Sequence, residues 1–401
     1  MDFYGYMRPN GKAGARNYVL LLPVNRSLNF IASNVERMTR NTRHFEIPAE
    51  TGRTEVDREV IARTLIGLMN NANVGGIVLL AVKSGAGSAY KNMCAERFEE
   101  EARKTGKPFR IVYLTNVGGS YNMLGETLRL TREVLLEVSD FRRENCPLSA
   151  LTLGVKCGTS DATSGIACNP CVGAAFDQLI RAGGTAFFSE TTEIIGAEDL
   201  VAKRAVNESV AKKILSAAKH WEDKAKATGE DIRKINPIPA NIAAGISSLE
   251  EKSLGAIAKS GTSPIQDVLK YAEMPKGSGL YFVDSWMSSL SLPLCLTACG
   301  ATIMLYQMGG GKIAQHPMMP SINPTVVSPF LYLTGNAIAY SRAPDNFDFD
   351  ASPIMTEGAS IPEMGTKLLE HLSAIASGTM TKMETLNYAE QLELYMEGPV
   401  L

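Results

Sequence analysis

The stretch LTLGVKCGTSDATSGIACNPCVG, residues 151–173, decides the fold of this chain. Its first residues, LTLGVK, form a short and mostly apolar run, which predicts a buried strand of a parallel sheet. A loop rich in glycine and hydroxyl groups, CGTSDATSG, follows at once, and Pro170 is suited to the first turn of a helix. A strand, a loop and a helix in this order are typical of an α/β domain, in which ligands gather at the carboxyl ends of the strands.

The same alternation extends in both directions from this stretch. The predicted strands are 17–24, 76–82, 109–114, 150–155, 185–189, 280–283 and 303–306, and the main predicted helices are 28–40, 55–69, 91–104, 123–138, 170–182, 207–226 and 362–375. A polar segment that ends in proline, RRENCP at 142–147, marks a boundary. The sequence therefore predicts an α/β fold of two consecutive three-layer α/β domains with mostly parallel sheets, the first over residues 1–146 and the second, with the Cys157 loop, over 147–401.

The composition excludes several classes of function. With 401 residues and a formal net charge of −2, the chain has neither the basic footprint of a nucleic-acid-binding protein nor a polybasic membrane patch. No apolar run approaches the ~18 residues that span a bilayer, and the start, MDFYGYMRPN, lacks an apolar signal segment. The seven cysteines are an odd and low number, which favours reduced thiols in the cytoplasm.

The loop after Val155 offers groups that can bind a small anion. Glycine at position 158 lets the backbone approach a ligand closely, and successive N–H groups in such a turn can form an anion nest. Hydroxyl and amide side chains nearby can hydrogen-bond carboxylate, hydroxyl or sulfonate oxygens. We therefore predict that four residues of this stretch bind substrate: Gly158, Ser160, Ser164 and Asn169.

The cysteines of the same stretch leave three interpretations open. Cys168 and Cys171 form a C-x-x-C pair, which is found in redox-active sites and in zinc sites. No second such pair lies near it in the sequence, so a zinc site would need distant ligands. The third interpretation is that the cysteines are small buried residues and that the glycines only form turns.

Acidic residues follow the next predicted strand, in the segment SETTEIIGAEDL at 189–200. If this strand neighbours the strand that ends at Val155, its carboxylates face the Cys157 loop. Carboxylates suit a hard divalent cation, and a thiolate suits a softer iron. We therefore predict a metal site formed by Cys157, Asp161, Glu190 and Glu198, although acidic residues at a helix start also interact favourably with its dipole.

Basic groups lie close to several predicted strand ends. Three of them could anchor the anionic ends of a substrate, or could be solvated surface charges: Arg16, Arg53 and Lys83. A general base for proton abstraction could come from a lysine whose pKa is lowered by burial, or from a histidine. The candidates are Lys252, Lys259 and His316, the last in a glycine-rich loop.

Together, these segments resemble one family. GYMRPNGKAGARNYVLLLP, the KCGTSDATSGIACNPCVG loop, SETTEIIGAEDLVAKRAV and EKSLGAIAKSGT match, in order, the large domain of the altronate/galactarate dehydratase family. The resemblance implies a lyase that removes water or another leaving group from a small anionic 2-hydroxy acid by β-elimination and yields a 2-keto acid. It also implies a divalent metal cofactor, Fe²⁺ in the first place and Mg²⁺ or Mn²⁺ as alternatives.

The chain departs from the family pattern in its first domain. Where sugar-acid dehydratases carry His-x-x-Gly-Cys, it reads AETGR at 49–53, and a strand end that usually resembles GLGCE reads AVKSG at 81–85. A histidine and cysteines are thus replaced by neutral or cationic groups. Added cations suit a dianion, so the sequence is most similar to the (2R)-sulfolactate sulfo-lyase branch, which releases bisulfite and leaves pyruvate.

The resemblance also implies partners. Many family chains begin with an extra domain of about a hundred residues, whereas this sequence starts directly at GYMRP, so we expect that domain as a separate small subunit. A homo-oligomer is expected as well. The alternative to an enzyme is a degenerate family member that only binds a small acid or serves as a scaffold subunit.

Overall fold

The computed structural model describes residues 1–83, 90–310, 323–386 and 393–399. The strands of this part of the chain form three sheets. In chain order they are β1 (Asp2–Met7), β2 (Ala13–Gly14), β3 (Tyr18–Pro23), β4 (Thr42–His44), β5 (Val74–Ala81), β6 (Phe109–Tyr113), β7 (Glu144–Pro147), β8 (Thr152–Gly158), β9 (Thr185–Phe188), β10 (Ile265–Leu269), β11 (Gly279–Val283), β12 (Ile303–Met308), β13 (Phe330–Thr334) and β14 (Phe349–Asp350).

Two of the three sheets are parallel, which confirms the predicted α/β fold. One has the strand order β4-β3-β5-β6, and the other has the order β10-β11-β9-β8-β12-β13-β14. The third sheet, β2-β1-β7, is antiparallel and pairs the amino-terminal strand with the segment between the two parallel sheets. It was not predicted, because β2 has only two residues and three of the four residues of β7 are exposed.

Helices cover both faces of the parallel sheets. The α-helices of the described residues are α1 (Asn29–Met38), α2 (Glu55–Asn70), α3 (Ala95–Lys104), α4 (Leu114–Val117), α5 (Ser120–Ser139), α6 (Asn169–Arg181), α7 (Glu198–Ala202), α8 (Glu208–Ala227), α9 (Ile232–Ile235), α10 (Pro239–Ala243), α11 (Leu249–Ile257), α12 (Ser291–Cys299), α13 (Ala337–Arg342), α14 (Pro353–Thr356), α15 (Ile361–Ala376) and α16 (Lys382–Thr385). α1 and α5 pack on one face of the four-stranded sheet, and α2 and α3 pack on the other. On the seven-stranded sheet, α6, α8 and α15 cover one face and α12 covers the other. None of the helices just named is both long and apolar enough to span a bilayer.

The two parallel sheets share one hydrophobic core, in which α2 packs against α12. The helices approach closely at Gly67, where a β-carbon would lie only 2.2 Å from the carbonyl oxygen of Ala298. Just beyond the end of α2, the amide of Asn71 donates to the carbonyl oxygens of Thr297 and Ala301, at 2.9 Å each. The carboxyl-terminal ends of α2 and α12 therefore lie side by side.

This contact fixes the relative direction of the two sheets. Asn73 and Thr302 immediately precede β5 and β12, and the Asn73 amide donates to the Thr302 carbonyl oxygen at 2.8 Å. The amino ends of the two sheets therefore meet, and their carboxyl ends face the same side of the shared core. On that side, the segment 393–399 connects both halves, because the N–H of Glu397 donates to Asp57 at the start of α2 and Tyr395 packs between Trp221 and Trp286.

We predict that Gly67→Ala lowers the free energy of unfolding by about 1–3 kcal/mol, because the new methyl group must push apart two helix backbones. Gly125→Ala is the matched control, since Gly125 also lies in a helix, α5, but a β-carbon there meets nothing within 4 Å. The control should gain up to about 1 kcal/mol from helix propensity. Chemical denaturation of the two variants checks this, and equal effects would contradict the close packing of α2 on α12.

Candidate active site

The candidate site lies where the seven-stranded sheet changes its direction of winding. From the central strand β8 the chain first moves to β9 on one side, and later returns to β12 on the other side of β8. Loops that leave β8 and its two neighbours thus diverge and open a crevice at the carboxyl ends of the strands, which is where ligands bind in such sheets. The residues that the sequence singles out after Val155 and after Ser189 lie at this edge.

A buried glutamate forms the centre of the site. Glu190 follows β9 with φ of 76°, a left-handed conformation that is uncommon outside glycine and that turns its side chain back towards β8. One carboxylate oxygen accepts from the ammonium of Lys156 at 3.0 Å, and the other accepts from the backbone N–H of Cys157 at 3.0 Å. The ammonium of Lys259 contacts the same carboxylate. Glu190 is therefore held by two lysines and one backbone donor.

A second carboxylate and the Cys157 thiol complete this group. The thiol Sγ lies 3.0 Å from Glu193 Oε2, and Lys259 Nζ lies 3.0 Å from Sγ and 3.5 Å from Glu193 Oε2. A third lysine approaches from α11, with Lys252 Nζ 3.9 Å from Glu193 Oε1. We call these residues the lysine–glutamate cluster: Lys156, Cys157, Glu190, Glu193, Lys252 and Lys259. No member has more than 7% of its surface exposed.

The electrostatics of the cluster favour the charged forms of its central groups. Burial alone would raise the pKa of Glu190, but the ammonium groups of Lys156 and Lys259 outweigh it and lower that pKa to about 2. Burial likewise opposes the charge on Lys259, yet the neighbouring Cys157, Glu190 and Glu193 raise its pKa. The pKa of the Cys157 thiol is raised well above its ordinary value by burial and by both glutamates. At neutral pH, Glu190 and Lys259 are therefore ionised and Cys157 is a thiol.

The Asp161 loop forms a second polar group beside the cluster. One carboxylate oxygen of Asp161 accepts from the hydroxyl of Thr163 at 2.6 Å and the N–H of Ser164 at 3.1 Å. The other accepts from the N–H of Gly310 at 2.6 Å and the amide of Asn336 at 3.0 Å. Asp161 thus ties the loop after β8 to the segments after β12 and β13.

A cavity of about 270 Å³ joins the Asp161 loop to the cluster. Five of the predicted site residues line it: Ser160, Asp161, Ser164, Asn169 and Lys252. Lys252 links the two groups, because its ammonium donates to the side-chain oxygens of Asn236 at 2.6 Å and Asn241 at 3.1 Å while it approaches Glu193. The amide of Asn241 in turn donates to the carbonyl oxygen of Ser160 at 2.9 Å. This arrangement places Lys252 and several residues with hydrogen-bonding groups along the lining of one cavity.

Asn169 has an acceptor that the described residues leave open. Its amide nitrogen donates to the carbonyl oxygen of Gly255 at 2.9 Å, whereas its side-chain oxygen is buried and has no hydrogen-bond partner in this part of the chain. Gly158, the remaining residue predicted to bind substrate, lies at the end of β8, where a β-carbon would come within 2.5 Å of the Tyr306 hydroxyl. A side chain is therefore excluded at position 158.

Two other predicted site residues, Arg16 and Glu198, lie apart from the cluster, and a third falls outside the described residues. All donors of the Arg16 guanidinium are engaged within the fold, with a bidentate pair to Glu384 and further bonds to backbone carbonyl oxygens. Glu198, predicted as a metal ligand, instead begins α7 and pairs with Arg233 at 2.7 Å. His316, a candidate base, lies outside the described residues.

The two cations of the first domain lie at the carboxyl end of its sheet. Arg53 belongs to the loop between β4 and α2, and its Nε is buried without a hydrogen-bond partner among the described residues. Lys83 follows β5 and is exposed.

A metal ion would find suitable ligand types in the cluster. One atom each from Cys157, Glu190 and Glu193 lies within 4.8 Å of the other two. The ammonium of Lys259, however, contacts all three of these residues. A metal ion bonded to them would stand within about 2.3 Å of each ligand atom and would compete with this ammonium for the same space.

The sequence interpretation missed part of the site. Lys156, Asn236 and Asn241 were not singled out, and Glu193 was noticed as a strand-end carboxylate but not assigned. Lys156 had a readable signal, because a lysine inside a buried strand of a parallel sheet needs an anionic partner. Cys168 and Cys171 are buried, and neither belongs to a group of three possible metal ligands among the described residues.

We predict that Glu190→Gln lowers the free energy of unfolding by about 3–5 kcal/mol, because it leaves two buried lysines without their main counter-charge. Glu198→Gln is the control, a partly exposed ion pair whose loss should cost below about 1 kcal/mol. The pKa of Glu190 is lowered from 4.5 to about 2, so its ionisation stabilises the fold above pH 4.5, and this stability is lost as the pH falls towards 2. Denaturation between those pH values should show a smaller slope in Glu190→Gln than in the unsubstituted chain, and parallel curves would contradict the pairing.

Comparison with known proteins assigns a family to this fold and site. The family model described as D-galactarate/altronate dehydratase, C-terminal, matches residues 148–399, and the model for the second domain of D-galactarate dehydratase/altronate hydrolase matches residues 5–139. The (2R)-sulfolactate sulfo-lyase subunit beta of Chromohalobacter salexigens is 32% identical over 97% of this chain and 96% of its own length. The altronate dehydratase of Bacillus subtilis is 29% identical over 100% of this chain and 78% of its own length. The galactarate dehydratase (L-threo-forming) of Escherichia coli is 30% identical over 99% of this chain and 77% of its own length. The chain therefore belongs to the D-galactarate/altronate dehydratase family of lyases.

Proposed function

We propose that this chain catalyses β-elimination on a small anionic 2-hydroxy acid and releases a 2-keto acid. One observation carries the proposal: three lysines and two glutamates are buried together at the carboxyl ends of β8 and β9, beside a polar cavity. Burying this much charge is costly for the fold, and such clusters are typical of sites where charge develops during a reaction.

The elimination needs stabilisation of negative charge. A base removes the proton from C2, the electron pair of that bond forms a C2–C3 double bond, and the group on C3 leaves with its own electron pair. The resulting enol then gains a proton at C3 and becomes the ketone of a 2-keto acid. Because the C2 proton next to a carboxylate is weakly acidic, the developing enediolate requires fixed positive charge in a site that excludes water.

The described residues can supply that charge. Lys252 lines the cavity, and we assign its ammonium to the substrate carboxylate and to the enediolate that forms from it. Lys259 is ionised and surrounded by its own partners, so we assign it an electrostatic and positioning role rather than that of a base. The open acceptor of Asn169 suits the 2-hydroxyl group of a substrate. The candidate bases are His316 and, as the alternative to the ammonium role just assigned, Lys252.

We propose (2R)-3-sulfolactate as the substrate, with pyruvate and bisulfite as products. The support is the cationic character of the first domain, where Arg53 has a buried donor without a partner and Lys83 lies exposed at a strand end. A small molecule that carries a sulfonate and a carboxylate would form ion pairs with Arg53 and Lys83 as well as with Lys252. Dehydration of an altronate- or galactarate-type acid is the alternative within the same chemistry.

The proposal includes a partner subunit and a cofactor. The matched sulfo-lyase chain is named a subunit beta and aligns over 96% of its own length, which supports a separate small subunit of about a hundred residues. A homo-oligomer in the cytoplasm completes this proposal. Fe²⁺, or Mg²⁺ or Mn²⁺, is the cofactor that the resemblance implies, and Cys157, Glu190 and Glu193 are the residues that could hold it, although Lys259 engages all three.

We predict that the chain, combined with its small subunit, converts (2R)-3-sulfolactate into pyruvate and sulfite in equal amounts. Pyruvate is measured by coupling to lactate dehydrogenase and sulfite by a thiol-reactive dye, with galactarate and altronate as comparison substrates. Turnover of a sugar acid but not of sulfolactate would support the dehydratase alternative. Calorimetric binding of an acid without any product would favour the degenerate binding or scaffold subunit.

We predict that Lys252→Met lowers kcat/KM by about 10²–10³, because an ammonium directed at the developing charge is lost. Lys234→Met is the matched control, since Lys234 is a highly exposed lysine of the neighbouring α9, and its kcat/KM should not change. Lys252→Arg distinguishes the two candidate roles. Arginine restores part of the rate if the charge matters, and restores none if the residue must take up a proton; unchanged kcat/KM in Lys252→Met would remove Lys252 from the mechanism.

A further inference from the structure

We infer that the ammonium of Lys259, and not a divalent metal ion, is the resident cation of the Cys157–Glu190–Glu193 group. Its Nζ lies 3.0 Å from the Cys157 sulfur and 3.5 Å from Glu193 Oε2, and it contacts the carboxylate of Glu190. The ammonium thus engages the same three residues that could form a metal site.

The backbone around Lys259 holds this residue in place, so its position does not depend on its side-chain conformation alone. Lys259 lies in a short 3₁₀ segment that continues α11, and it is followed by Gly261 with φ of 67°. That glycine packs tightly against α6, because a β-carbon at Gly261 would lie 2.5 Å from the carbonyl oxygen of Gly173. Lys259 itself is only 1% exposed. Withdrawal of its ammonium to admit a metal ion would require a buried charge to move within a packed interior, which is costly.

The charge balance of the lysine–glutamate cluster also disfavours a metal ion. Its three ammonium groups face two carboxylates, and the thiol of Cys157 lies between Lys259 and Glu193. The cluster therefore already carries slightly more positive than negative charge. A divalent ion would add two further positive charges within a few ångströms of buried lysines, where repulsion is poorly screened. Among the described residues, no other set of three histidine, cysteine or acidic side chains lies close enough to form an alternative metal site.

This inference deepens the proposed function, on which it rests only in treating the cluster as the reacting centre. In this site, fixed ammonium groups would take the place of a metal ion and stabilise the developing enediolate. The cluster would then function without loading by iron. Its test measures metal binding and not turnover, so failure of the proposed reaction and failure of this inference give different results.

The first experiment uses the unsubstituted chain, incubated anaerobically with Fe²⁺ or Co²⁺ and then desalted. Metal is quantified by mass spectrometry, and Co²⁺ bound to a thiolate is detected by its charge-transfer absorption. We expect metal far below one equivalent per chain and no thiolate–cobalt band. One equivalent of cobalt with a band that disappears in Cys157→Ser would overturn the inference.

The second experiment removes the ammonium. Lys259→Met keeps the length and apolar stem of the side chain, and we expect it to bind one equivalent of Co²⁺ with the thiolate band. Lys252→Met is the matched control, because it removes a lysine of the same cluster that approaches Glu193 but not the sulfur, and it should stay metal-free. A folded Lys259→Met chain that binds no cobalt would show that Lys259 is not what excludes the metal and would also overturn the inference. If Lys259→Met does not fold, the result for the unsubstituted chain decides.

Discussion

The burial of the Glu190 carboxylate between Lys156 and Lys259 is the constraint on which the site depends. A carboxylate with no exposed surface needs paired charge and hydrogen bonds, and here it receives two ammonium groups and the N–H of Cys157. These partners come from two separate segments, the last residues of β8 and the 3₁₀ segment that follows α11, and they meet Glu190 in the turn after β9. The pairing therefore joins the centre of the seven-stranded sheet to the helices that cover its carboxyl edge.

The left-handed turn at Glu190 makes this pairing geometrically feasible. A non-glycine residue with positive φ costs about 1–3 kcal/mol and persists where the surroundings compensate for it. With Glu190 turned back over β8, the following 3₁₀ turn brings Glu193 to the same side, where it meets the thiol of Cys157 and approaches Lys252. Lys252 then extends the charged group to the cavity. The strain at one residue thus serves to connect a buried charge cluster with a space that a small acid can enter.

The fold was largely readable from the sequence, whereas the site was readable only in part. The long apolar runs of β3, β5 and β8 mark buried parallel strands because each is covered on both faces. β10 was missed, since three of its five residues are only half buried and two are polar. The two prolines of the segment 237–245, PIPANIAAG, favour a loop, yet it contains the short helix α10, with Pro239 in the first turn, where proline is tolerated.

The errors at the site share one physical cause, which is that side-chain partners far apart in sequence cannot be paired from spacing. Arg16 was expected to bind a carboxylate of the substrate. It does bind a carboxylate, but one that belongs to Glu384, 368 residues away. Glu198 was expected to join Glu190, but its partner Arg233 comes from α9. Glu190 was correctly placed at a strand end. The contacts of Glu193 and Lys156 with its charge cluster depend on a turn geometry that cannot be predicted from residue types.

Two independent features of the chain agree on a site in which protein cations dominate. In the first domain, AETGR and AVKSG contain an arginine and a lysine where the family resemblance implies a histidine and cysteines. In the second domain, the one thiol among the candidate ligands is protonated and donates to a glutamate, with Lys259 beside it. A metal ion bound to these ligands would require a deprotonated thiol and donor atoms that no ammonium group contacts, and the site meets neither requirement. A dianionic substrate would require neither, since fixed ammonium and guanidinium groups already complement its charge.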